Sequence, residues 1–372
     1  MLLAAEVVVL AACSPDLKSI VPEPVAIVAP ADGTRDVRPG ERVSVQVANG
    51  ALTSVSVSTL GGTRVPGTLK GGRFSPEREG FLVGTTYRVT VKVTGGSGRE
   101  NVRVTYFTTL APKKVNRIDV LPRSKTTVGI GQPVSLAFNH PVKDKMAVER
   151  RLKVADSNNT EGSWGWVTEP ITGRERVDWR PKKYWAPGTK VTLDADLNGV
   201  DTGNGRYLTR SYSTAFTIGS SHIAKVDLNA HTLTLISDSH RVKTIPVTGG
   251  DANHRTWSGK MTLMSKEGAI RMSSQSVGLG NEYDFMVQRS MRMTISGTYA
   301  HQAEWAEATI GASNTSHGCL GMTTKDATWF YGQAQVGDVF EVSNGRESVE
   351  PGNGFGEWNL SWEDWQGRSA LH

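Results

Sequence analysis

Thr315-Ser-His-Gly-Cys319-Leu320, followed by Gly321-Met-Thr-Thr-Lys-Asp326, is the stretch on which the reading of this 372-residue chain turns. Cys319 is one of two cysteines, and the other, Cys13, falls in an apolar N-terminal segment, so Cys319 has no evident disulfide partner. A lone thiol beside a histidine is explained either by burial as a small hydrophobe or by reactivity. The thiolate is the nucleophile, and histidines, cations or a helix N-terminus lower a cysteine pKa from ~8.5 into the working range. His317 lies two residues away, and His301 lies eighteen residues upstream, a span that a loop closes if its ends are strands. Thr323-Thr-Lys-Asp326 reads as a capping box opening a helix from Thr324 to Ala334, with Asp326 at its third position. That helix start is expected to favour negative charge behind the thiol. Gly318 frees the backbone to turn sharply, so the N–H groups of Gly318 and Cys319 are candidates to face a developing oxyanion.

Ser296-Gly-Thr-Tyr-Ala-His301, Asn314-Thr-Ser-His-Gly-Cys-Leu320, Trp329-Phe-Tyr331 and Gly337-Asp-Val-Phe-Glu-Val342 together resemble the L,D-transpeptidase family of bacterial cell-wall enzymes. The Ser-His-Gly-Cys core with a histidine upstream is that family's signature. The tail Gly356-Glu-Trp-Asn-Leu-Ser-Trp-Glu-Asp-Trp365 looks like the C-terminal extension of mycobacterial-type members, and the similarity also runs through Val128 to Gly219. The resemblance implies that Cys319 is the nucleophile and His301 its base or ion-pair partner, with the carbonyl of Gln302 orienting the ring. His317 is the alternative base, or a residue that positions the turn. The implied reaction is attack on an L-centre/D-centre peptide bond of a tetrapeptide stem of peptidoglycan, loss of D-alanine, and resolution of the thioester by a side-chain amine to give a 3→3 cross-link. No cofactor is implied, and carbapenem-type β-lactams are expected to acylate the thiol. Ser296 and Tyr299 on the strand leading to His301, together with Met272, Tyr283 and Ser316, are expected to bind the substrate.

Three positions depart from the family pattern. Val277 stands where a tyrosine is frequent, with Tyr283 as a stand-in; Gly321 replaces an asparagine or arginine; Gln302 replaces a serine. Six methionines between Met261 and Met293 either fill an irregular core or form an apolar flap over the thiol, which in related enzymes is a β-hairpin lid.

Working back toward the N-terminus, the chain is too long for one core. The expected fold class is mainly β: two immunoglobulin-like β-sandwiches, then a β-rich catalytic domain with one short helix after the nucleophile. Alternation in Val43-Ser-Val-Gln-Val47 and Tyr87-Arg-Val-Thr-Val-Lys-Val93, with turns at Asp32-Gly33, Gly61-Gly62 and Gly95-Gly96, marks the first sandwich at residues 26–112. Pro133-Val-Ser-Leu-Ala-Phe138, Val177-Asp-Trp-Arg180 and Lys190-Val-Thr-Leu193 mark the second at 113–219. Its aromatics, Trp164, Trp166, Tyr184 and Trp185, are read as core in preference to sugar platforms. The catalytic domain is placed at 220–344 and a Trp-rich extension at 345–372, with Trp358, Trp362 and Trp365 spaced for one face of a short helix or turn that packs on the preceding domains.

Leu2 to Ala12 are apolar except for Glu6 and too short to span a bilayer, so they read as the end of an export signal; Ser14 to Pro30, with prolines at 15, 22, 24 and 30 and no periodicity, reads as a tether, and residues 1–25 are set apart from the first domain. Leu10-Ala11-Ala12-Cys13 resembles a lipobox, which makes Cys13 the expected lipidation site and a lipid anchor the only expected membrane contact. A net charge of +6 suits anionic envelope polymers. No zinc, helix-turn-helix or aromatic-platform motif supports nucleic acid as a partner. The other histidines, including His254, show no metal-ligand spacing and read as surface or strand residues. The rival functions are an L,D-carboxypeptidase using the same thiol and a non-catalytic wall-binding lipoprotein.

Overall fold

The computed structural model describes residues 22–77, 80–277, 280–281 and 283–372, so Cys13 and the segment expected to direct export lie outside the described residues. The chain divides into two compact units, one up to Ala111 and one from Pro112 onward. In the first unit, strands Val25–Ala29, Val43–Ala48, Arg73–Pro76 and Gly67–Lys70 form one sheet, and Thr34–Val37, Glu100–Thr109, Thr86–Gly95 and Gly50–Thr59 form the other. Alternating Val89, Val91 and Val93 point inward against Phe81, Tyr87 and Phe107, whose rings pack at 4.8 to 5.4 Å. The tether expectation therefore reached too far. Val25 to Ala29 pair antiparallel with Val43–Ala48, burying Ala26 and Val28, because alternation outweighs the flanking prolines.

The second unit holds another sandwich, with sheets Ile118–Leu121, Val134–Phe138, Glu175–Pro181, Gly162–Thr168 and Thr127–Val128, Tyr212–Ile218, Lys190–Ala195, Leu152–Asp156. Trp166 and Trp185 are buried, with Trp166 stacked on Phe138 at 5.6 Å and Trp185 on Trp179 at 5.2 Å, so these aromatics are core. Val339, from the last strand of the following domain, belongs to the same apolar cluster, and Ile223 packs against it. This sandwich and the domain after it are thus joined through one apolar cluster, while the latter keeps a core of its own around Leu320, Met322 and Phe340.

That last domain has a five-stranded sheet, ordered His240–Pro246, Thr232–Ser237, His222–Asp227, Val339–Ser343 and Gly259–Thr262. A four-stranded sheet, Ser265–Ser273, Asp284–Arg292, Tyr299–Gln302 and Leu320–Met322, carries the site. The helix after the thiol runs from Thr324 to Gln333, and its N-cap Thr323 accepts a hydrogen bond from the Asp326 N–H at 3.2 Å, as the capping box requires.

The C-terminal tail returns to the sandwich. Trp358 lies in a short 3₁₀ turn, Gly356–Asn359, and Trp362 and Trp365 lie in a separate helix, Trp362–Gln366, so the three indoles do not share one helix. They converge instead on one cation: the Arg180 guanidinium is 4.9, 5.4 and 5.3 Å from the rings of Trp358, Trp362 and Trp365. The Trp365 indole N–H donates to the Ser163 carbonyl at 3.0 Å and that of Trp358 to the Gly131 carbonyl at 2.9 Å. Beside them Arg176 bonds Asp178 at 2.7 Å and the Gly354 carbonyl at 2.6 Å, and buried Glu357 lies 3.9 Å away.

Candidate active site

Strands Tyr299–Gln302 and Leu320–Met322 pair in parallel, with His301 opposite Gly321. This register closes the eighteen-residue excursion between the histidine and the thiol, so Cys319, one residue before its strand, and His301 line the same cavity of about 430 Å³. His301 is buried, and its Nδ1 lies 2.7 Å from the Gln302 carbonyl oxygen. A carbonyl only accepts, so Nδ1 carries the proton and Nε2 is left as the acceptor. Trp305 stacks on the imidazole with ring centres 5.9 Å apart and walls the cavity.

The electrostatics differ from the expectation of a preformed thiolate. Burial pushes the Cys319 thiol up to about 11, with the Tyr299 backbone pulling the other way. Burial also lowers the His301 pKa, opposed by its bond to Gln302. Both effects disfavour charge, so thiol and imidazole both rest neutral in the shared cavity. The helix contributes little to this balance: Asp326, bonded to the Lys243 ammonium at 2.7 Å, already supplies the negative charge at its N-terminus.

The turn before the thiol is built by Ser316. Its hydroxyl donates to the Cys319 carbonyl at 2.7 Å and accepts from the Gly318 N–H at 3.1 Å. Gly318 has φ 111°, which a side chain rarely adopts. The Gly318 N–H is therefore engaged by the turn, contrary to the expectation that it faces an oxyanion, and Ser316 acts on the backbone as well as lining the cavity. Gly321 has a packing reason. A Cβ there would meet the Thr248 methyl at 2.8 Å and the Ala303 methyl at 3.0 Å, so the floor of the cavity has no room for asparagine or arginine.

A second cavity of about 450 Å³ also reaches Cys319, and Met272, Tyr283 and His317 line both. Met272 and Tyr283 lie at the end of the hairpin Ser265–Ser273 and Asp284–Arg292, which places the flap over the thiol. Of the methionines, Met261, Met291 and Met293 are core, so each of the two expectations holds for part of the set. Val277 ends the short 3₁₀ turn at the hairpin tip; its side chain is outside the described residues. Ser296 and Tyr299 line the second cavity, and the Tyr299 hydroxyl, 3.1 Å from Glu267, is pushed up to about 12 mainly by burial.

Sequence reasoning missed His254. It lines the second cavity, its ring 4.7 Å from that of His317, and its Nδ1 lies 3.1 Å from an Asp251 carboxylate oxygen. The i, i+3 Asp-His spacing was the available signal. Arg255, Trp257 and Arg346 were likewise unassigned, and no motif joins them in sequence. His317 sits against Tyr283 with ring centres 5.0 Å apart, at the junction of the two cavities.

Residues 34–201 match the model of a bacterial Ig domain, and residues 221–342 match that of the L,D-transpeptidase catalytic domain. L,D-transpeptidase 2 of Mycobacterium tuberculosis is 33% identical over 91% of this chain and 83% of its own length. L,D-transpeptidase 5 of the same organism is 29% identical over 94% of this chain and 78% of its own length. A solved structure of LD transpeptidase LdtMt1 in complex with imipenem superposes with a TM-score of 0.52 and 31% identity, covering 62% of this chain and all of that one. With the site geometry and these matches together, the chain belongs to the L,D-transpeptidase family.

Proposed function

We propose that this protein forms 3→3 cross-links in peptidoglycan by acyl transfer through Cys319. The observation that carries the proposal is the hydrogen bond from His301 Nδ1 to the Gln302 carbonyl, in a cavity that also holds the thiol. It fixes the tautomer that can accept a proton from sulfur, the arrangement of nucleophile, base and orienter used in acyl transfer. Because both groups rest neutral, the sulfur proton moves to His301 Nε2 as the Sγ–C bond forms at the stem-peptide carbonyl. The imidazolium then returns that proton to the departing amine of D-alanine as the C–N bond breaks, leaving a thioester. A side-chain amine of a second stem attacks the thioester carbon, passes its proton to His301, and the departing sulfur takes it back. The energy of the cleaved amide is kept in the thioester, so no nucleotide is needed.

The same reading makes the thiol a target for carbapenem-type β-lactams, in keeping with the imipenem complex of the related enzyme. It also places the chain outside the cytoplasm, lipid-anchored at Cys13, with the two sandwiches as spacers. The test is intact-protein mass after incubation with a carbapenem and, separately, with tetrapeptide stems. An adduct lost in Cys319→Ala together with a dimeric stem product supports the proposal. Free D-alanine with a shortened stem and no dimer identifies an L,D-carboxypeptidase, and no adduct in the unaltered protein leaves only a wall-binding role.

A further inference from the structure

We infer that the second cavity beside Cys319 is a carboxylate-recognition site for the stem peptide, with Arg255 and Arg346 as the residues that grip the anion. This rests on the acyl-transfer reading and adds which group of the substrate is held. The two cavities that meet at the thiol differ in charge. Among the described residues, the first has no arginine, lysine or carboxylate in its lining, whereas the second has Arg255, Arg271, Arg292 and Arg346 and no carboxylate.

The four arginines are not equally available. Arg271 is held by both oxygens of Asp284 at 2.7 and 2.6 Å. Arg292 donates to the carbonyls of Thr294 and Ile295 and lies 4.0 Å from Glu267. Arg346 lays its guanidinium face on Trp257, 3.7 Å from the ring centre, and pairs one edge with Glu347. Among the described residues, Arg255 donates to the carbonyls of Asn344 and Gly345 and has Glu347 within electrostatic reach. The Arg346 N–H bonds the Thr256 carbonyl at 2.8 Å and the Ser258 N–H bonds the Glu347 carbonyl at 3.1 Å, so the segments bearing Arg255 and Arg346 run side by side. Among the described residues, Glu347, outside the lining, pairs with Arg346 and also feels the charge of Arg255, so two guanidinium groups face the cavity against one neighbouring carboxylate.

Stacking and backbone anchoring hold both forks in place before any ligand arrives, and a planar fork matches a carboxylate through paired hydrogen bonds. A stem peptide offers that group in two places, its C-terminal D-alanine and the carboxylates along its side groups. Both arginines are exposed, so solvent screens the attraction and the expected effect is modest.

The experiment uses the full chain and three tetrapeptide stems: the free acid, the C-terminal carboxamide, and a form amidated only at its other carboxylates. Thioester formation at Cys319 is followed by mass in the unaltered protein, in Arg255→Gln/Arg346→Gln and in Arg255→Lys/Arg346→Lys. The double Gln variant is expected to raise KM roughly ten-fold for the free acid with kcat within about two-fold, since ground-state binding is what is lost. The amidated form that removes the gripped carboxylate should react with the unaltered protein as poorly as the free acid does with the Gln variant, and should be insensitive to the substitution. The Lys variant should recover part of the loss, and iodoacetamide should alkylate Cys319 at the same rate in all three proteins. Equal KM for all three peptides in the unaltered protein, or a Gln variant that weakens every form alike, overturns the site. If no peptide acylates Cys319 while iodoacetamide does, the acyl-transfer reading falls and the site with it; peptides that react without carboxylate preference sink the site alone.

Discussion

The thiol centre and the junction between the second sandwich and the C-terminal tail both bury ionisable groups, and they handle the cost in opposite ways. At the thiol centre the hydrogen-bond partner of His301 among the described residues is a neutral carbonyl, and burial drives cysteine up and histidine down until neither is charged. At the junction Arg176 stays cationic: desolvation works against its charge, but Asp178 and Glu357 more than offset this and raise its pKa. Burial raises Asp178 and Glu357 in turn. The site that must move a proton keeps both of its groups neutral, whereas the joint keeps a cation buried against the Asp178 carboxylate.

The sharpest way to break this comparison is His301→Ala, expected to slow acylation of Cys319 by roughly 10²–10⁴-fold in single-turnover mass measurements. In the unaltered protein the acylation rate should rise with pH through the lowered pKa of His301 and stay level across neutrality, because the thiol remains protonated to about 11. A bell-shaped profile centred near neutrality would mean a preformed ion pair. Unchanged acylation in His301→Ala, with His317→Ala inactive, would exchange the roles of the two histidines.

At the junction, Trp365→Ala removes a fully buried indole and should lower unfolding free energy by about 3–5 kcal/mol, read by denaturant midpoint. Loss of activity with an unmoved midpoint would show that the tail serves the substrate. Back at the site, Gly321→Asn should cost about 1–3 kcal/mol through its clash with Thr248, and Thr248→Ser, which deletes the methyl, should relieve part of it. The smallest effect is a pH slope. Glu357 has a folded pKa of about 8 against an ordinary 4.5, so the folded state keeps a proton that the unfolded chain releases. Its contribution is complete below 4.5 and declines as pH rises toward 8. Glu357→Gln should flatten that slope by about 1 kcal/mol per pH unit in pH-dependent melts. An unchanged slope would mean that the carboxylate is ionised when folded, held by Arg176.

The sandwiches were legible because alternation survives wherever one face is buried, as in Val89, Val91 and Val93. The capping box at Thr323 and Asp326 was legible because it is a local hydrogen bond between residues three apart. The meeting of His301 with Cys319 followed only from family resemblance and the assumption of strand ends, since nothing local dictates the parallel register. The rise of the thiol pKa was illegible, because burial belongs to the assembled cavity, which Met272, Tyr283 and Trp305 line with Cys319 from separate stretches of the chain. So was the wall formed by Arg255 and Arg346, ninety-one positions apart in numbering and joined by a bridge between two loops. The three tryptophans misled because helical spacing was read across a break at Leu360 and Ser361, while their shared target, Arg180, lies in another domain.

The fusion of the second sandwich with the catalytic domain bears on how this protein can be recombined. Residues 221–342 carry every group of the thiol centre but end before the tail and begin after the sandwich. Grafted alone, they would turn Val339 and Ile223 toward water and leave Thr262 without the Gly131 carbonyl it bonds. The natural seam for exchange between relatives is Pro112, and a shuffled enzyme cut there keeps its joint intact.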